Sequence, residues 1–324
     1  MKITFSPHIR GMGHRVRCSL IAGKVNAIRP GIMIKFMLRR DDPVPPDKWL
    51  AFDYVKGRWG RSFNLITSAC LVEDGAWFDD FRVKFLKKKG GRIVAISMPH
   101  GFSPDITYVE RCLKLTDLVI VPWPKKLFSW PDELSEFKDR VKRVEPIFLE
   151  PKMNEQGKDV KGREGHNIYV SISAETEKIF PIIEKAVERL KPRFPHLELT
   201  ATKSYEEVRS AAQHMKIMKS SDLVIAMGMA TTFESCFVGV PRICIALPSS
   251  GEQMQMGKML TEEGAAYSIP LPELNAGKMA ESISTIFDDP KVRDEMIVKG
   301  KEMVPKSGLD DAARLILDIL GKAK

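Results

Sequence analysis

Short apolar runs rich in β-branched side chains recur along the chain, and stretches with the 3.6-residue period of amphipathic helices separate many of them. Lys2 to Ser6 reads as a first strand, followed by a glycine-containing loop to His14, a helix from about Arg15 to Ile28 and a strand from Ile32 to Leu38. Asn64 to Thr67, Arg92 to Ser97 and Leu118 to Val121 are further buried-strand candidates, with a helical stretch from Trp77 to Lys89 between two of them. From Glu150 to His166 the chain turns polar and glycine-containing with little to bury, the composition of a linker.

After that stretch the pattern restarts. Strands are expected at Asn167 to Ser171, Leu197 to Thr200, Leu223 to Ala226 and Arg242 to Ala246, and helices at Glu175 to Leu190 and Thr232 to Val238. Four helices follow, at Gln253 to Glu263, Ala276 to Phe287, Pro290 to Lys301 and Leu309 to Leu320. Two strand–helix alternations predict an α/β protein of two Rossmann-like, doubly wound lobes, residues 1–150 and 151–324, with a cleft between them. Ligands of open α/β sheets bind outside the carboxyl ends of the strands, so the loops that follow strands carry the candidate chemistry.

Composition narrows the setting. The N-terminus runs into a strand with no secretion-signal pattern, and no apolar stretch reaches the ~18 residues of a membrane span. A cytoplasmic protein is therefore expected. Cys18, Cys70, Cys112, Cys236 and Cys244 form no Cys-x-x-Cys pair, which suits reduced, buried thiols. The net charge of +9 is uneven. Residues 1–150 hold 27 Lys and Arg against 17 Asp and Glu, whereas residues 151–324 hold 24 against 25. A basic first lobe suits an anionic partner or is simply a solvated basic face. Its basic residues are not interleaved with stacking aromatics or a reading helix, which argues against nucleic acid.

The most informative segment runs from Ser221 to Pro241, where an apolar strand ends in a small-residue loop and hydroxyl residues begin a helix. The unsatisfied N–H groups and positive dipole end of such a helix make a phosphate seat. Gly228 lets a phosphate approach the backbone, and Thr231 and Thr232 add hydroxyl donors. Thr231-Thr232-Phe233-Glu234 also fits a Thr-x-x-Glu capping box, and Gly239 with Pro241 fits a helix stop, so local structure alone explains much of the pattern.

Gly228-x-x-Thr231-x-x-Glu234, Gly239-Val240-Pro241, Gly251-Glu252-Gln253-Met254-Gln255 and Gly264-Ala265-Ala266 together resemble the C-terminal lobe of GT-B nucleotide-sugar glycosyltransferases, especially the peptidoglycan N-acetylglucosaminyltransferase type. The pattern is also similar to hydrolases that release a sugar from UDP. The resemblance implies that the Gly-x-x-Thr loop holds the diphosphate, that Glu234 bonds the ribose hydroxyls, and that Gln253 or Gln255 touches the sugar. Many such transferases carry a Gly-Gly-Ser turn after the first strand of this lobe. This chain departs from that with Ser171-Ile172-Ser173, so the Ser171 and Ser173 hydroxyls would stand in for glycine N–H groups.

Directly after the first strand stands Arg10-Gly11-Met12-Gly13-His14-Arg15-Val16-Arg17-Cys18. Gly11 and Gly13 permit a tight turn and close ligand approach, and His14 sits at a helix start, where the charged imidazole is disfavoured. The turn resembles the Gly-x-Gly-His of the same enzymes, which implies that His14 is a general base. Arg17 and Cys18 tilt the resemblance toward the hydrolases, whose turn often reads Gly-His-x-x-Arg-Cys. Val121 to Pro131 sets three large aromatics beside Lys125 and Lys126, which suits a membrane interface or a lipid-linked acceptor, or a loop that buries its own rings. Lys84 to Arg92 is a basic rim or a solvated helix end. His100 follows an expected strand and would line the cleft, His8 is close to the glycine turn, and His166, His196 and His214 read as surface or packing residues. No Asp-x-Asp pair stands at a strand end, so neither a metal nor another cofactor is expected. The sequence therefore predicts a metal-independent transfer of sugar from a UDP-sugar to an acceptor, lipid-linked or otherwise anionic, at or near the cytoplasmic membrane face, with a UDP-sugar hydrolase as the alternative.

Overall fold

The computed structural model describes residues 1–7, 12–39, 53–57, 68–74, 80–96, 106–128, 130, 132–151, 166–172, 176–202, 211–227, 229–248 and 251–321. The expected strand at 64–67, most of the expected linker, Gly11, Ser173, Gly228, His8 and His100 lie outside them.

Contacts divide the chain into two compact units, residues 1–148 with 307–324, and residues 149–306. The first unit contains a seven-stranded sheet of β1 (Lys2–Pro7), β2 (Met33–Arg39), β3 (Asp53–Gly57), β4 (Cys70–Asp74), β5 (Arg92–Ile96), β6 (Leu118–Pro122) and β7 (Val141–Val144). Their spatial order is β3-β2-β1-β4-β5-β6-β7, and every pairing is parallel. Helices α1 (Met12–Ile28), α2 (Asp80–Lys88) and α3 (Ile106–Leu115) supply crossovers. Parallel strands covered on both faces must be apolar throughout, and β4, β5 and β6 are buried along nearly their whole length. Phe5 and Phe36 stack across β1 and β2 with ring centroids 5.4 Å apart.

The second unit repeats the scheme with five strands, β8 (His166–Ser171), β9 (Leu197–Thr202), β10 (Leu223–Met227), β11 (Arg242–Ala246) and β12 (Tyr267–Pro270). They are again all parallel, in the order β12-β11-β10-β8-β9. Among the described residues six α-helices accompany them: α4 (Thr176–Leu190), α5 (Ala211–Lys219), α6 (Met229–Val238), α7 (Gly251–Glu262), α8 (Ala276–Asp288) and α9 (Pro290–Met303).

The last helix, α10 (Leu309–Gly321), does not continue the second unit. Its apolar face, Ala312, Ala313, Ile316 and Leu320, joins the first unit's core with Ile21, Val25 and Ile3, and α10 packs against α1. The expectation of a second lobe running to 324 is corrected here. The amphipathic pattern of α10 marks a buried face without saying which core buries it. The chain returns through Gly308, whose N–H donates to Pro146 O at 2.9 Å.

Two surface expectations resolve toward folding. In the loop after β6, Trp123 is buried, Phe128 and Trp130 are partly buried, and Trp130 Nε1 donates to Leu134 O, so the loop covers its own rings while Lys125 and Lys126 remain exposed. In the basic run, Lys87 and Arg92 both pair with Asp117, at 2.7 and 3.1 Å. All five cysteines are buried and none forms a disulfide.

Arg242 opens β11 fully buried. Its guanidinium donates to Val240 O, to Ala265 O and to Cys236 Sγ, and it fills the space beside Gly300 of α9, where an added Cβ would come within 2.0 Å of Arg242 Nη1. So many bonds leave the guanidinium nowhere to move. Gly300→Ala is therefore expected to destabilise the protein by about 1–3 kcal/mol, the usual range for overpacking. Gly23→Ala, in the middle of α1 with open space around the new methyl, should instead stabilise it by about 0.5–1 kcal/mol. Urea unfolding midpoints of the two variants check both signs.

Candidate functional site

In each sheet the strand order reverses once. Chain order runs outward to β2 and β3 on one side of β1, then to β4 on the other; in the second sheet β9 lies to one side of β8 and β10 to the other. At such switch points the flanking crossovers leave a crevice at the carboxyl ends of two strands. Of the sequence-predicted residues, His14 and Arg17 meet at the first of these places, and Ser171 and Thr231 at the second.

In the first unit, β1 pairs with β4 as far as Pro7 opposite Asp74, the last residue of β4. Helix α1 begins at Met12, so His14 lies in its first turn, and Arg17 and Cys18, three and four residues on, share its face. All three side chains converge on the Asp74 carboxylate. His14 Nδ1 lies 2.8 Å from Oδ1, Arg17 Nε donates to Oδ2 at 2.9 Å, Arg17 Nη2 donates to Oδ1, and Cys18 Sγ donates to Oδ2 at 3.5 Å.

The Asp74 side chain is 0% exposed while that of His14 is 21% exposed, so the imidazole reaches solvent and the carboxylate behind it does not. Burial alone would raise the Asp74 carboxyl; the Arg17 charge, then the His14 charge and the hydrogen bonds from both, more than offset this and hold it well below the usual carboxylate range. Burial, and then the Asp74 charge, push the Cys18 thiol well above its ordinary range, so it stays a protonated donor.

An ionised Asp74 only accepts hydrogen bonds, which fixes the imidazole. Nδ1 carries the proton that goes to Oδ1, the neighbouring Arg17 Nη2 at 3.1 Å gives its proton to the carboxylate rather than to the ring, and the neutral ring's lone pair sits on Nε2. Gly13 is exposed, with nothing within 4 Å of an added Cβ.

In the second unit, Ser171 ends β8 opposite Ala226 of β10. Its hydroxyl lies 3.4 Å from Thr231 Oγ1 in the first turn of α6, so two hydroxyls and a helix N-terminus meet at the carboxyl edge of the sheet. Helix α6 starts three residues earlier than Thr232. That places Thr231 and Thr232 inside it and rules out the capping-box arrangement. Its end is as expected: Gly239 is left-handed at φ 76°, and the Gly239 and Val240 N–H groups return to Ser235 O.

The remaining predicted residues separate. Thr232 is fully buried, its hydroxyl 3.7 Å from Cys244 Sγ. Glu234 is 8% exposed and is met by His214 of α5, Nε2 to Oε2 at 3.0 Å, while His214 Nδ1 lies 2.7 Å from Tyr169 OH. Gln253, in the first turn of α7, accepts from Leu247 N–H at 3.1 Å, and Gln255 is exposed.

Two residues of these clusters were not read from the sequence. Asp74 belongs to an apolar run, Ala69 to Val72, that ends in Glu-Asp-Gly, the pattern of a buried strand delivering carboxylates to its carboxyl end. His214 reads as a packing residue, and the structure corrects this, since both of its ring nitrogens are engaged by polar partners. His166 does pack, stacking on Phe287 at 4.3 Å, and His196 is exposed.

Comparison with known proteins falls on the same segments. Residues 175–310 match the glycosyltransferase family 28 C-terminal domain. Most of the matched segment lies in the second unit. An 80-residue stretch is 32% identical to the UDP-N-acetylglucosamine–N-acetylmuramyl-(pentapeptide) pyrophosphoryl-undecaprenol N-acetylglucosamine transferase of Rickettsia akari, covering 24% of this chain and 21% of that protein. The aligned stretch thus spans about a fifth of that relative's length. Over the whole chain the fold is similar to that of MurG from Acinetobacter baumannii, with a TM-score of 0.66 and 14% identity, covering 98% of this chain and 99% of the other. It is likewise similar to the spinosyn rhamnosyltransferase SpnG complexed with thymidine diphosphate, with a TM-score of 0.68 and 13% identity, covering 98% and 100%. These matches bear out the resemblance to the peptidoglycan N-acetylglucosaminyltransferase type and the two-lobed Rossmann-like fold class. Among the described residues of this GT-B chain, no group of His, Cys, Asp and Glu is arranged to hold a metal ion, and no helix is long and apolar enough to cross a membrane.

The Asp74 cluster gives a signed pH dependence. A carboxyl whose folded-state titration lies below its unfolded one stabilises the protein fully above the unfolded range, near pH 4, and that contribution is lost as pH falls below it. Asp74→Asn should cost roughly 3 kcal/mol at pH 7, the low end for breaking a buried pair because Arg17 and His14 keep contact with water. Denaturation of parent and variant should differ fully above about pH 4 and by progressively less as pH falls from there toward the much lower titration of the folded-state carboxyl.

Proposed function

We propose that the protein is a glycosyltransferase that moves a sugar from a UDP-sugar to an acceptor hydroxyl, with His14 as general base and no metal ion. The observation that carries this reading is the meeting of the Ser171 and Thr231 hydroxyls with the start of α6 at the second sheet's switch point, with Thr231 and Glu234 both inside the segment, residues 175–310, that matches a glycosyltransferase C-terminal domain. The Ser171 and Thr231 hydroxyls and the N-terminus of α6 would receive the diphosphate, and Glu234 would accept from ribose hydroxyls. His14 Nε2 would take the acceptor's proton as its oxygen forms a bond to the anomeric carbon. The bond from that carbon to the diphosphate breaks, and the departing oxygen keeps the electron pair, stabilised by the donors at the helix start.

Asp74 supports this assignment of His14 because it sets the tautomer and stabilises the imidazolium that forms. The excess of basic residues in 1–150 suits an anionic, polyprenyl-phosphate-linked acceptor and a place at the inner membrane face. Water in place of that acceptor would make the same site a UDP-sugar hydrolase, the reading toward which Arg17 and Cys18 tilt.

Calorimetric titration with UDP, dTDP and other nucleoside diphosphates, followed by product analysis of UDP-sugars, tests the proposal. Tight binding of UDP with the UDP-sugar left intact until an acceptor is added is expected; free sugar released without acceptor would make the protein a hydrolase. Failure to bind any nucleoside diphosphate would overturn both. His14→Ala should reduce turnover by about 10²–10⁴-fold with UDP affinity kept, and turnover should be indifferent to a chelator. Glu234→Ala should weaken UDP binding by about 10-fold or more, the worth of a hydrogen bond to a charged group.

A further inference from the structure

We infer that His214 is a positioning residue for the nucleotide's ribose: with Tyr169 and Thr202 behind it, it holds Glu234 in the conformation that discriminates ribose hydroxyls. The inference rests on the reading of Glu234 as the ribose ligand. It adds three residues, from β8, β9 and α5, that no part of that reading includes.

The four side chains form a continuous chain. His214 Nε2 lies 3.0 Å from Glu234 Oε2, His214 Nδ1 lies 2.7 Å from Tyr169 OH, and Tyr169 OH lies 3.2 Å from Thr202 Oγ1. A carboxylate oxygen can only accept, so Nε2 carries a hydrogen toward Glu234. In the neutral imidazole Nδ1 then accepts from the Tyr169 hydroxyl, whose oxygen accepts from Thr202. In the imidazolium the outer two bonds reverse, with Nδ1–H donating to Tyr169 and Tyr169 to Thr202. Glu234 receives the Nε2–H bond in both forms, so the support does not depend on the ring's charge.

The anchorage is rigid. Tyr169 is fully buried in the interior strand β8, and its ring meets the His214 ring edge-on at 5.4 Å. The side chains of His214 and Glu234 are 19% and 10% exposed, which leaves the outer carboxylate edge within reach of a ligand. A glutamate has three rotatable side-chain bonds, and tying one oxygen to a buried scaffold removes the freedom it would otherwise lose on binding. Oε1 is then presented in a fixed direction.

A merely structural His214 would change stability, or the binding of all nucleotides equally. A positioning His214 changes the preference for hydroxyl-bearing ribose. The ratio of dissociation constants for 2′,3′-dideoxy-UDP and UDP, measured by calorimetry on the full chain, reads this directly. In the parent the ratio should be about 10–100, the worth of a hydrogen bond from a hydroxyl to a carboxylate. His214→Phe, which keeps the ring and loses both hydrogen bonds, should lower it to about 3 or less, with dideoxy-UDP affinity nearly unchanged. His214→Gln, which can still donate toward Glu234, should restore a ratio of about 5 or more, and it serves as the test if the Phe variant does not fold.

Glu234→Ala separates the two levels of the argument. If Glu234→Ala abolishes the preference while His214→Phe and His214→Gln both keep the parent ratio, the inference about His214 is overturned and the ribose reading stands. If Glu234→Ala itself keeps the preference, or UDP does not bind, the ribose reading fails and this inference fails with it.

Discussion

An all-parallel sheet can present polar chemistry in few places, and that constraint organises both units. Strands covered on both faces carry apolar side chains along their length, as Leu223 to Met227 and Leu118 to Pro122 do. Every crossover returns to the same end of the sheet, so hydroxyls, carboxylates and helix N-termini collect at the carboxyl ends of strands. Where the strand order reverses, two neighbouring ends stand open together. His14 and Asp74 meet beside the β1–β4 reversal, and Ser171 and Thr231 meet beside the β8–β10 reversal.

Charge brought to such a place must be compensated, and the compensation differs between the units. Asp74 is enclosed and receives a guanidinium, an imidazole and a thiol, so it remains ionised despite its burial. Glu234 keeps a partly exposed edge and is met by an imidazole that is itself backed by a phenol. Arg242 shows a third arrangement: a fully buried guanidinium satisfied by carbonyl oxygens and the Cys236 sulfur. Burial raises the Cys236 thiol and the neighbouring Arg242 charge lowers it again, with burial the larger effect. The thiol therefore stays neutral, and it closes the guanidinium's shell without adding charge.

The strand–loop–helix order at each switch point was legible in the sequence because apolar runs, helix starts and the glycine stop at Gly239 are local signals. Partners distant in sequence were not legible. Asp74 is 60 residues from His14, and nothing in the run Cys70 to Asp74 says which turn it faces. His214 and Glu234 are 20 residues apart on separate helices, so the histidine looked like packing until the fold set α5 beside α6. Thr-x-x-Glu failed as a capping box for the same reason. The motif fixes spacing, while the actual start of α6 at Met229 depends on how β10 ends. The path of α10 back to the first core is a tertiary choice that its amphipathic face leaves open.

The two histidine–carboxylate pairs show why orientation matters more than composition. In the first unit the carboxylate takes Nδ1, the nitrogen nearer the backbone, and the neutral ring's basic atom is Nε2 at the outer end of the side chain. In the second unit the carboxylate takes Nε2, and Nδ1 is held by Tyr169. A ring held by Nδ1 can exchange a proton with a ligand at its tip, so its carboxylate partner tunes a base. A ring held at both nitrogens has no site left for proton exchange with a ligand, and in the proposed function its carboxylate partner would be the group that meets the ligand. In the proposed function the same two residue types would reverse roles, and what would decide the role is which ring nitrogen the fold presents to the acid.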